Sequence, residues 1–291
     1  MRVVSLFDGI SCGRVALERA GVSVDEYIAF EIEPSAIKIS KANWPDIIQC
    51  GDVCEADFTQ YQGYDLLIGG SPCQSLSIAT QNRTSLKGKS RLFYEFVRAF
   101  EEIKPKWFLF ENVASMNEES KRVINELLGC EPILIDSKDF SPQQRPRYYW
   151  TNIPIGSYGT DTRVLRNIME DVENVPEKYY YKYGVSGIDM EKQVCAYLEY
   201  PFKSIDMSKR VLNPAFKSHT VMCCNGGGTH KKVLVNGRAR KLTPLEYERL
   251  QTLPDNYTKV DGVSDTGRWN GSGNGWTVDV IAHIFKGLPR E

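Results

Sequence analysis

Short apolar runs alternate with amphipathic stretches over the first 150 residues. The runs predict β-strands at Arg2–Phe7, Tyr27–Phe30, Ile47–Gln49, Asp65–Ile68, Trp107–Phe110, Pro132–Ile135 and Tyr148–Thr151. The stretches between them predict helices at Gly13–Ala20, Pro34–Trp44, Leu92–Ile103 and Glu118–Leu128. Strands that alternate with helices in this way form a mostly parallel sheet covered on both faces. The sequence therefore predicts a doubly wound α/β domain.

Beyond about residue 155 this alternation is lost. The next stretch includes the aromatic run Tyr179–Tyr183 and the glycine run Gly226–Gly228, without a sustained period. Helical patterns return at Thr243–Leu253, where Thr243 and Glu246 have capping-box spacing, and at Thr277–Phe285. We predict a sheet domain at 1–155, a small irregular lobe at 156–239, and a C-terminal segment at 240–291 that completes the sheet domain.

The composition is that of a globular protein with a hydrophobic core. Of the 291 residues, 42% are hydrophobic and 25% are charged, and the mean hydropathy is −0.36. No apolar run approaches the ~20 residues of a membrane span. Asp8 interrupts the apolar stretch Val3–Phe7, which argues against a signal peptide. Eight cysteines without a Cys-x-x-Cys pair predict reduced thiols and a cytoplasmic location.

The net charge of −1 conceals an uneven distribution. Residues 75–91 contain four basic and no acidic side chains, and residues 203–240 contain eight basic residues against Asp206 alone. Such segments suit a polyanion, although a solvated surface loop explains the charge equally well. His219, Cys223, Cys224 and His230 do not have the spacing of a zinc site, so we predict no metal.

Three successive predicted strands end in residues that suit an adenosine. The first leads into a glycine turn, Gly9-x-x-x-Gly13, which lacks the G-x-G-x-x-G dinucleotide pattern and by itself is equally typical of a tight turn. Glu31 follows the second strand, where a carboxylate can accept hydrogen bonds from ribose hydroxyls. Asp52 and Val53 follow the third, next to the expected adenine. The lack of Lys or Arg for phosphates favours S-adenosylmethionine over NAD or ATP.

The next two predicted strands end in groups that could carry chemistry. Gly69-Gly70-Ser71-Pro72 leads to Cys73, which we expect at the mouth of the ligand crevice of a parallel sheet. Glu111 follows the fifth strand, and Arg145 and Arg147 precede the last one. A buried structural thiol, a carboxylate at a helix N-terminus and surface salt bridges are the structural alternatives for these residues.

Taken in order, these motifs resemble those of the DNA (cytosine-5) methyltransferases. The resemblance rests on FDGIxxG, GGSPCQ, FENV, QxRxR, the segment from Arg240 to Pro254, and the ending Gly273-Asn274-Gly275-Trp276-Thr277-Val278. It covers residues 2–154 and 238–287. The wording of SLFDGIxxG, the surroundings of Glu31, Ser90-Arg91-Leu92-Phe93 and the G-x-x-W-[TS]-V ending is closest to the animal de novo branch. A short, free-standing chain is more typical of prokaryotic or phage enzymes.

This resemblance implies a Rossmann-like methyltransferase domain and a reaction on a flipped-out cytosine of double-stranded DNA. Cys73 would attack cytosine C6, a protonated Glu111 would stabilise charge near N3, and Arg147 and Arg145 would hold O2 and the Cys73 loop. S-adenosylmethionine, which leaves as S-adenosylhomocysteine, would contact Phe7, Asp8, Gly9, Ile10, Ser11, Cys12, Glu31, Ile32, Asp52, Val53, Leu92, Asn274, Gly275 and Trp276. The lobe at 156–239 would recognise the target, and DNA would contact Ser75, Arg83, Lys87, Lys89, Lys217, Lys231 and Lys232.

Two departures from the family pattern stand in the expected cofactor site. Cys12 lies inside the first loop, and Asn274 replaces a basic residue expected in the de novo branch. The alternatives are a tRNA cytosine-C5 methyltransferase, whose Cys-Phe-Thr signature is absent, and a non-catalytic DNA-binding homologue, which would be expected to lack Cys73 or Glu111. We expect a monomer or weak dimer without membrane contact, with a cognate restriction endonuclease as a further candidate partner.

Overall fold

The computed structural model describes residues 1–72, 91–224 and 228–290. The strands are β1 Arg2–Leu6, β2 Glu26–Phe30, β3 Ile48–Gln49, β4 Leu66–Gly69, β5 Trp107–Val113, β6 Ile133–Asp136, β7 Gln143–Gln144, β8 Pro146–Thr151, β9 Val185–Ser186, β10 Val194–Leu198, β11 Arg210–Leu212, β12 Ser218–His219, β13 Lys232–Val235 and β14 Arg238–Lys241. The helices are α1 Cys12–Ala20, α2 Pro34–Asn43, α3 Arg91–Ile103, α4 Glu118–Leu128, α5 Asp206–Lys209, α6 Pro244–Leu250, α7 Asp265–Asn274 and α8 Val278–Phe285.

A seven-stranded sheet organises the N-terminal half. Its strand order is β3-β2-β1-β4-β5-β8-β6. The first five strands of this order are parallel, and β8 is antiparallel to both of its neighbours, β5 and β6. The order reverses direction at β1, so successive crossovers lie on opposite sides. The predicted doubly wound, mostly parallel α/β fold is confirmed, and every predicted strand and helix of this half is present within three residues at each end.

Aromatic side chains fill the space between the sheet and α3. Phe93 and Phe96 are fully buried, and the ring centroids of Phe96 and Phe110 are 4.7 Å apart. At Gly69 an added Cβ would lie 3.0 Å from both the Leu6 carbonyl oxygen and the Phe96 ring. This close packing fixes the end of β4, which is the strand that leads to Cys73.

The chain divides into two compact units. The first comprises residues 1–136, 146–157 and 280–291, and the second comprises residues 137–145 and 158–279. The predicted division into a catalytic domain at 1–155, a target-recognition lobe at 156–239 and a completing segment at 240–291 concerns roles rather than compactness, and it stays a prediction.

The second unit contains more regular structure than its sequence indicates. A five-stranded sheet has the order β14-β13-β11-β10-β9, and β12 pairs with β7 in parallel. Its strands are two to five residues long, too short for a clear period-two pattern. A compact core that includes Leu212, Val221, Val233 and Trp269 supports them. Tertiary packing rather than local sequence pattern therefore defines this unit.

Helix α7 is absent from the sequence predictions. Its sequence, DTGRWNGSGN, contains three glycines and little apolar periodicity, so propensity disfavours a helix there. The Ser264 side chain accepts a hydrogen bond from Gly267 N at the start of the helix, and Trp269 buries all but 5% of its surface. Capping and one large buried ring outweigh the unfavourable composition.

A buried ion pair joins β14 to α6 within the second unit. Arg240 and Glu246 have no exposed side-chain surface, and the guanidinium donates to both carboxylate oxygens at 2.7 and 2.6 Å. Glu246 also accepts from Thr243 N at 2.8 Å, which completes the predicted capping box.

Among the described residues, no helix combines the length and apolarity that a membrane crossing requires.

We expect Glu246→Gln to lower the free energy of unfolding by about 3 kcal/mol, because the substitution leaves Arg240 charged and buried without its counter-ion. Glu126→Gln is the matched control. It removes an exposed i,i+4 ion pair with Arg122 and should change stability by no more than about 0.5 kcal/mol. Urea denaturation of both variants measures the difference, and equal effects would contradict the prediction.

Candidate active site

The candidate residues of the first unit follow the carboxyl ends of adjacent parallel strands. Phe7–Ser11 follows β1, Glu31 follows β2, Asp52 follows β3 and Ser71 follows β4, while Glu111 lies near the end of β5. Because β3, β2, β1, β4 and β5 are adjacent and parallel, these ends meet along one edge of the sheet. Ligands of open α/β sheets bind at such an edge.

The loop after β1 has an unusual backbone. Phe7, Gly9 and Ser11 have φ angles of 56°, 60° and 62°, so three of five consecutive residues are in the left-handed region. Asp8 N donates to the Phe30 carbonyl at 3.1 Å, which ties the loop to the end of β2. Left-handed residues other than glycine cost free energy and persist where surrounding contacts determine them. The loop is thus a rigid turn whose backbone a ligand could approach closely.

The Asp8 carboxylate faces the protein interior. One oxygen accepts hydrogen bonds from Ser5 Oγ and Tyr27 OH, both at 2.7 Å, and the other accepts from Ser11 Oγ. Burial raises the pKa of Asp8 to about 6, against the opposing effect of these hydrogen bonds. The side chain of Asp8 therefore braces the loop from within. The predicted cofactor contact of Asp8 stays a prediction that concerns its backbone.

Glu31 is held by three backbone amides. Its carboxylate accepts from Gly9 N at 2.8 Å on one oxygen and from Ile32 N and Glu33 N at 2.8 Å on the other. A carboxylate has about four acceptor positions, so this arrangement orients Glu31 and leaves it capacity for a ligand hydroxyl. Ile32 beside it exposes 68% of its side-chain surface, an apolar face suited to a ring.

The third strand end is fixed by hydrogen bonds to its backbone. Asp52 Oδ1 accepts from Cys54 N at 2.9 Å and caps the short helix at Val53–Glu55. Arg98 of α3 donates to the Val53 carbonyl at 2.9 Å and lies over the Phe58 ring.

Among the other predicted cofactor residues, Ile10 and Cys12 are buried, and Leu92 is half-buried against the core.

The turn after β4 is anchored by β5. Asn112 Nδ2 donates to the Ser71 carbonyl at 3.1 Å, and Asn112 Oδ1 accepts from Val113 N at 2.8 Å. Asn112 is 2% exposed, so this link is internal. It fixes the backbone two residues before Cys73. Cys73 itself, and the predicted DNA contacts Ser75, Arg83, Lys87 and Lys89, lie outside the described residues.

Glu111 and Arg147 form an ion pair across β5 and β8. Arg147 Nε lies 2.9 Å from Glu111 Oε1, and the two side chains expose only 13% and 12% of their surface. In the antiparallel register Arg147 faces Val113, which places Glu111 on the diagonal within reach of a long side chain. Two predicted catalytic residues are therefore brought together, each restricting the rotamers of the other.

Arg145 belongs to the second unit, where its side chain binds backbone. It is 5% exposed and donates to the carbonyls of Val221, Gly273 and Gly275 at 2.8, 3.2 and 3.0 Å. The predicted cofactor residues Asn274, Gly275 and Trp276 lie in this unit at the end of α7, with Asn274 exposed. Contact of Arg145 with cytosine or the Cys73 loop stays a prediction.

Two of the three described lysines predicted to bind DNA, Lys217 and Lys232, have side chains that bond the protein. Lys217 Nζ donates to the Ser141 and Arg163 carbonyls at 3.1 and 2.9 Å. Lys232 is 1% exposed and donates to two carbonyls, and burial lowers the pKa of both Lys231 and Lys232 to about 8. Phosphate contacts by Lys217 and Lys232 would require these bonds to exchange, so their DNA role stays a prediction.

Several positioning residues escaped the sequence analysis. Tyr27, Asn112 and Arg98 each bond a loop that carries candidate residues, as described above. Asn112 stood inside the quoted motif FENV without an assigned role, whereas Tyr27 and Arg98 offered no sequence signal beyond their strand and helix positions. Among the described residues, no three His, Cys, Asp or Glu side chains are grouped as metal ligands would be.

Comparison with known proteins gives one family match over almost the whole chain. The family described as "C-5 cytosine-specific DNA methylase" matches residues 1–290. The orphan methyltransferase M.SPRI of Bacillus phage SPR is 34% identical over 161 residues, which cover 51% of this chain and 37% of that protein. The type II methyltransferase M1.ScrFI of Lactococcus lactis subsp. cremoris is 26% identical, and the match covers 97% of this chain and 76% of that protein.

Solved structures agree on the fold. The methyltransferase EhMeth of Entamoeba histolytica superposes with a TM-score of 0.76 at 19% identity and covers 100% of this chain and 99% of that one. The chain thus spans about two fifths of the phage relative but nearly all of this structural neighbour.

We expect Asp8→Asn to change the pH dependence of stability. The pKa of Asp8 is raised from 3.8 to about 6, so its favourable contribution is complete below pH 3.8 and is lost as the pH rises through 6. The stability of the Asn variant relative to wild type should therefore rise by about 2.4 kcal/mol between pH 4 and pH 7. Unfolding by urea at both pH values measures this. An unchanged difference would contradict it, and Asp261→Asn, at an exposed position, is the control.

Proposed function

Because the chain belongs to the C-5 cytosine-specific DNA methylase family, we propose that it methylates C5 of a flipped-out cytosine in duplex DNA, with S-adenosylmethionine as methyl donor. The observation that carries this proposal is the sheet edge itself. An amide-bound carboxylate follows β2, a rigid glycine turn follows β1, and a carboxylate–guanidinium pair stands at β5 and β8. The first two suit an adenosine, and the last suits a polar base.

The residues present fit S-adenosylmethionine. Glu31 retains acceptor capacity for ribose hydroxyls, and the left-handed turn at Gly9 allows a ligand to approach the backbone closely. Asp52 presents a second carboxyl one strand further, which suits the amino group of adenine. When bound, this molecule supplies an electrophilic methyl group on a sulfonium. In this proposal Asn274, Gly275 and Trp276 contribute further contacts.

The protein's own groups would activate the base. C5 of cytosine is a weak nucleophile, and attack of the Cys73 thiolate at C6 forms a Cys73–C6 bond and makes C5 enamine-like. A protonated Glu111 would donate a hydrogen bond near N3, where negative charge develops, with Arg147 fixing its position. After methylation, loss of the C5 proton and release of Cys73 restore the aromatic ring. The base must leave the helix, at a cost of a few kcal/mol.

Further parts of the proposal concern partners and location. The phage and bacterial relatives support a cytoplasmic enzyme. The bacterial type II methyltransferase supports a cognate restriction endonuclease as a candidate partner, whereas the phage relative is an orphan methyltransferase. Basic residues within 75–91 would face the DNA backbone.

Methyl transfer with Cys73→Ala tests the catalytic proposal. We expect wild type to label cytosine C5 of unmethylated duplex DNA from S-adenosylmethionine, and Cys73→Ala to lose at least about 10³-fold in rate, because the nucleophile is removed. Cys130→Ala, at a half-buried cysteine, should retain activity.

The same assay on tRNA separates the alternatives. Label on tRNA alone would replace the DNA substrate with RNA. Binding of DNA and cofactor without transfer to either would favour a non-catalytic homologue. Duplex DNA containing 5-fluorocytosine should trap a covalent adduct that depends on Cys73. Fluorine replaces the C5 proton whose removal is needed before Cys73 can be released.

Glu31→Gln tests the cofactor site. Replacing the carboxylate with an amide removes charge-assisted bonds to ribose hydroxyls and repels Gly9 N, so we expect the Kd for S-adenosylhomocysteine to rise about 10- to 100-fold. Glu33→Gln is the matched control: it makes the same change two residues away, at an exposed side chain. Isothermal titration calorimetry measures both, and an equal effect of the two substitutions would refute the assignment of Glu31.

A further inference from the structure

The side chain of Arg145 connects two segments of the second unit. It donates to the Val221 carbonyl at 2.8 Å and to the carbonyls of Gly273 and Gly275 at 3.2 and 3.0 Å. Residues 221 and 273 are far apart in sequence, so one guanidinium closes a long loop. Arginine suits this task because its planar fork presents several donors in fixed directions.

Two glutamines reinforce the same connection. Gln143 accepts from Val221 N at 2.7 Å and donates to Gln251 Oε1 at 3.1 Å. Gln251 in turn donates to the Ser272 and Gly275 carbonyls at 2.7 and 2.8 Å. Thr277 Oγ1 donates to Gln251 Oε1 at 2.9 Å, which extends the network past Gly275. Gln143, Arg145 and Gln251 are all buried.

Backbone contact between the two segments is equally tight. An added Cβ at Gly273 would lie 2.4 Å from the Met222 carbonyl carbon and 2.6 Å from Cys223 N, so no side chain fits there. Asn270 Oδ1 accepts from Cys224 N at 2.6 Å one turn earlier on α7. Residues 221–224 and 270–277 therefore cannot shift independently without breaking several buried hydrogen bonds.

We propose that Arg145 is a positioning residue that couples cofactor binding to DNA binding, by fastening the cofactor segment 273–277 to the recognition segment 221–224. This inference rests on the proposed function, in which Asn274–Trp276 contact the cofactor and the lobe containing 221–224 contacts DNA. A ligand that orders one segment also orders the other, so the second ligand binds to a segment that has already lost its freedom. Coupling of this kind is reciprocal.

The experiment measures the Kd for S-adenosylhomocysteine with and without the duplex identified by the methylation assay, and the Kd for that duplex with and without S-adenosylhomocysteine. In wild type we expect each ligand to tighten the other at least about fivefold. Arg145→Lys replaces the fork with a single ammonium and should reduce both factors to less than about twofold. The discriminating result is loss of the coupling factor itself, because a uniform weakening of either binary affinity would leave that factor unchanged.

Two further variants keep the test decisive. Thr277→Val is nearly isosteric, removes the bonds of Thr277 to Gln251 and to Ser137, and should reduce the coupling in the same direction if Arg145→Lys does not fold. Arg249→Lys is the matched control, since Arg249 binds the Ile168 carbonyl and Asp255 and should retain wild-type coupling. Circular dichroism melts verify folding of each.

Independent binding of the two ligands to wild type, or full coupling in both Arg145→Lys and Thr277→Val, would overturn the inference while leaving the proposed function intact. Failure of wild type to bind S-adenosylhomocysteine and DNA at all would overturn both.

Discussion

Parallel pairing of five adjacent strands is the constraint on which the candidate site depends. Because β3, β2, β1, β4 and β5 run in one direction, the residues after each strand emerge at one edge, although they are separated by up to 104 positions from Phe7 to Glu111 in the chain. The candidate chemistry is therefore distributed along the sequence as short motifs, each at or near the end of a strand. Antiparallel pairing would send alternate strand ends to opposite edges and separate an adenosine pocket from a reactive centre.

Buried polar groups convert that edge into defined geometry. Asp8 braces the first loop through three hydroxyl groups, Glu31 is oriented by three amides, and Asn112 holds the Ser71 carbonyl. Each costs desolvation, and the raised pKa of Asp8 is a direct sign of that cost. A ligand site needs this rigidity, because a group that is already oriented loses little entropy when the ligand binds. The edge thus carries two kinds of carboxylate: Asp8 is turned inward to support the loop, and Glu31 is oriented by backbone amides and keeps acceptor capacity.

Sequence pattern predicted the first unit well and the second poorly, for a physical reason. In the first unit long-range parallel pairing buries whole strands, so apolar runs such as Leu66–Gly69 are visible by composition alone. In the second unit β9 and β12 contain two residues each, and α7 contains three glycines, so these elements offer no window long enough to carry a period. Site residues followed the same rule. Glu31 and Glu111 could be proposed because they lie at or near the ends of strong strands, whereas the bonds of Arg98 and Tyr27 depend on contacts between distant segments.

The motif QxRxR illustrates how one short segment can serve two structural units. Gln143 and Gln144 form β7, which pairs with β12. Pro146 begins β8, which pairs with β5 and β6. The chain changes sheets at Arg145, and the boundary between the compact units falls at the same point. Arg147 consequently meets Glu111 in the first unit, while Arg145 binds carbonyls in the second. Two arginines that look equivalent in sequence thus have different bonding environments. The proposed roles, fixing Glu111 for Arg147 and joining two segments of the second unit for Arg145, follow from that difference.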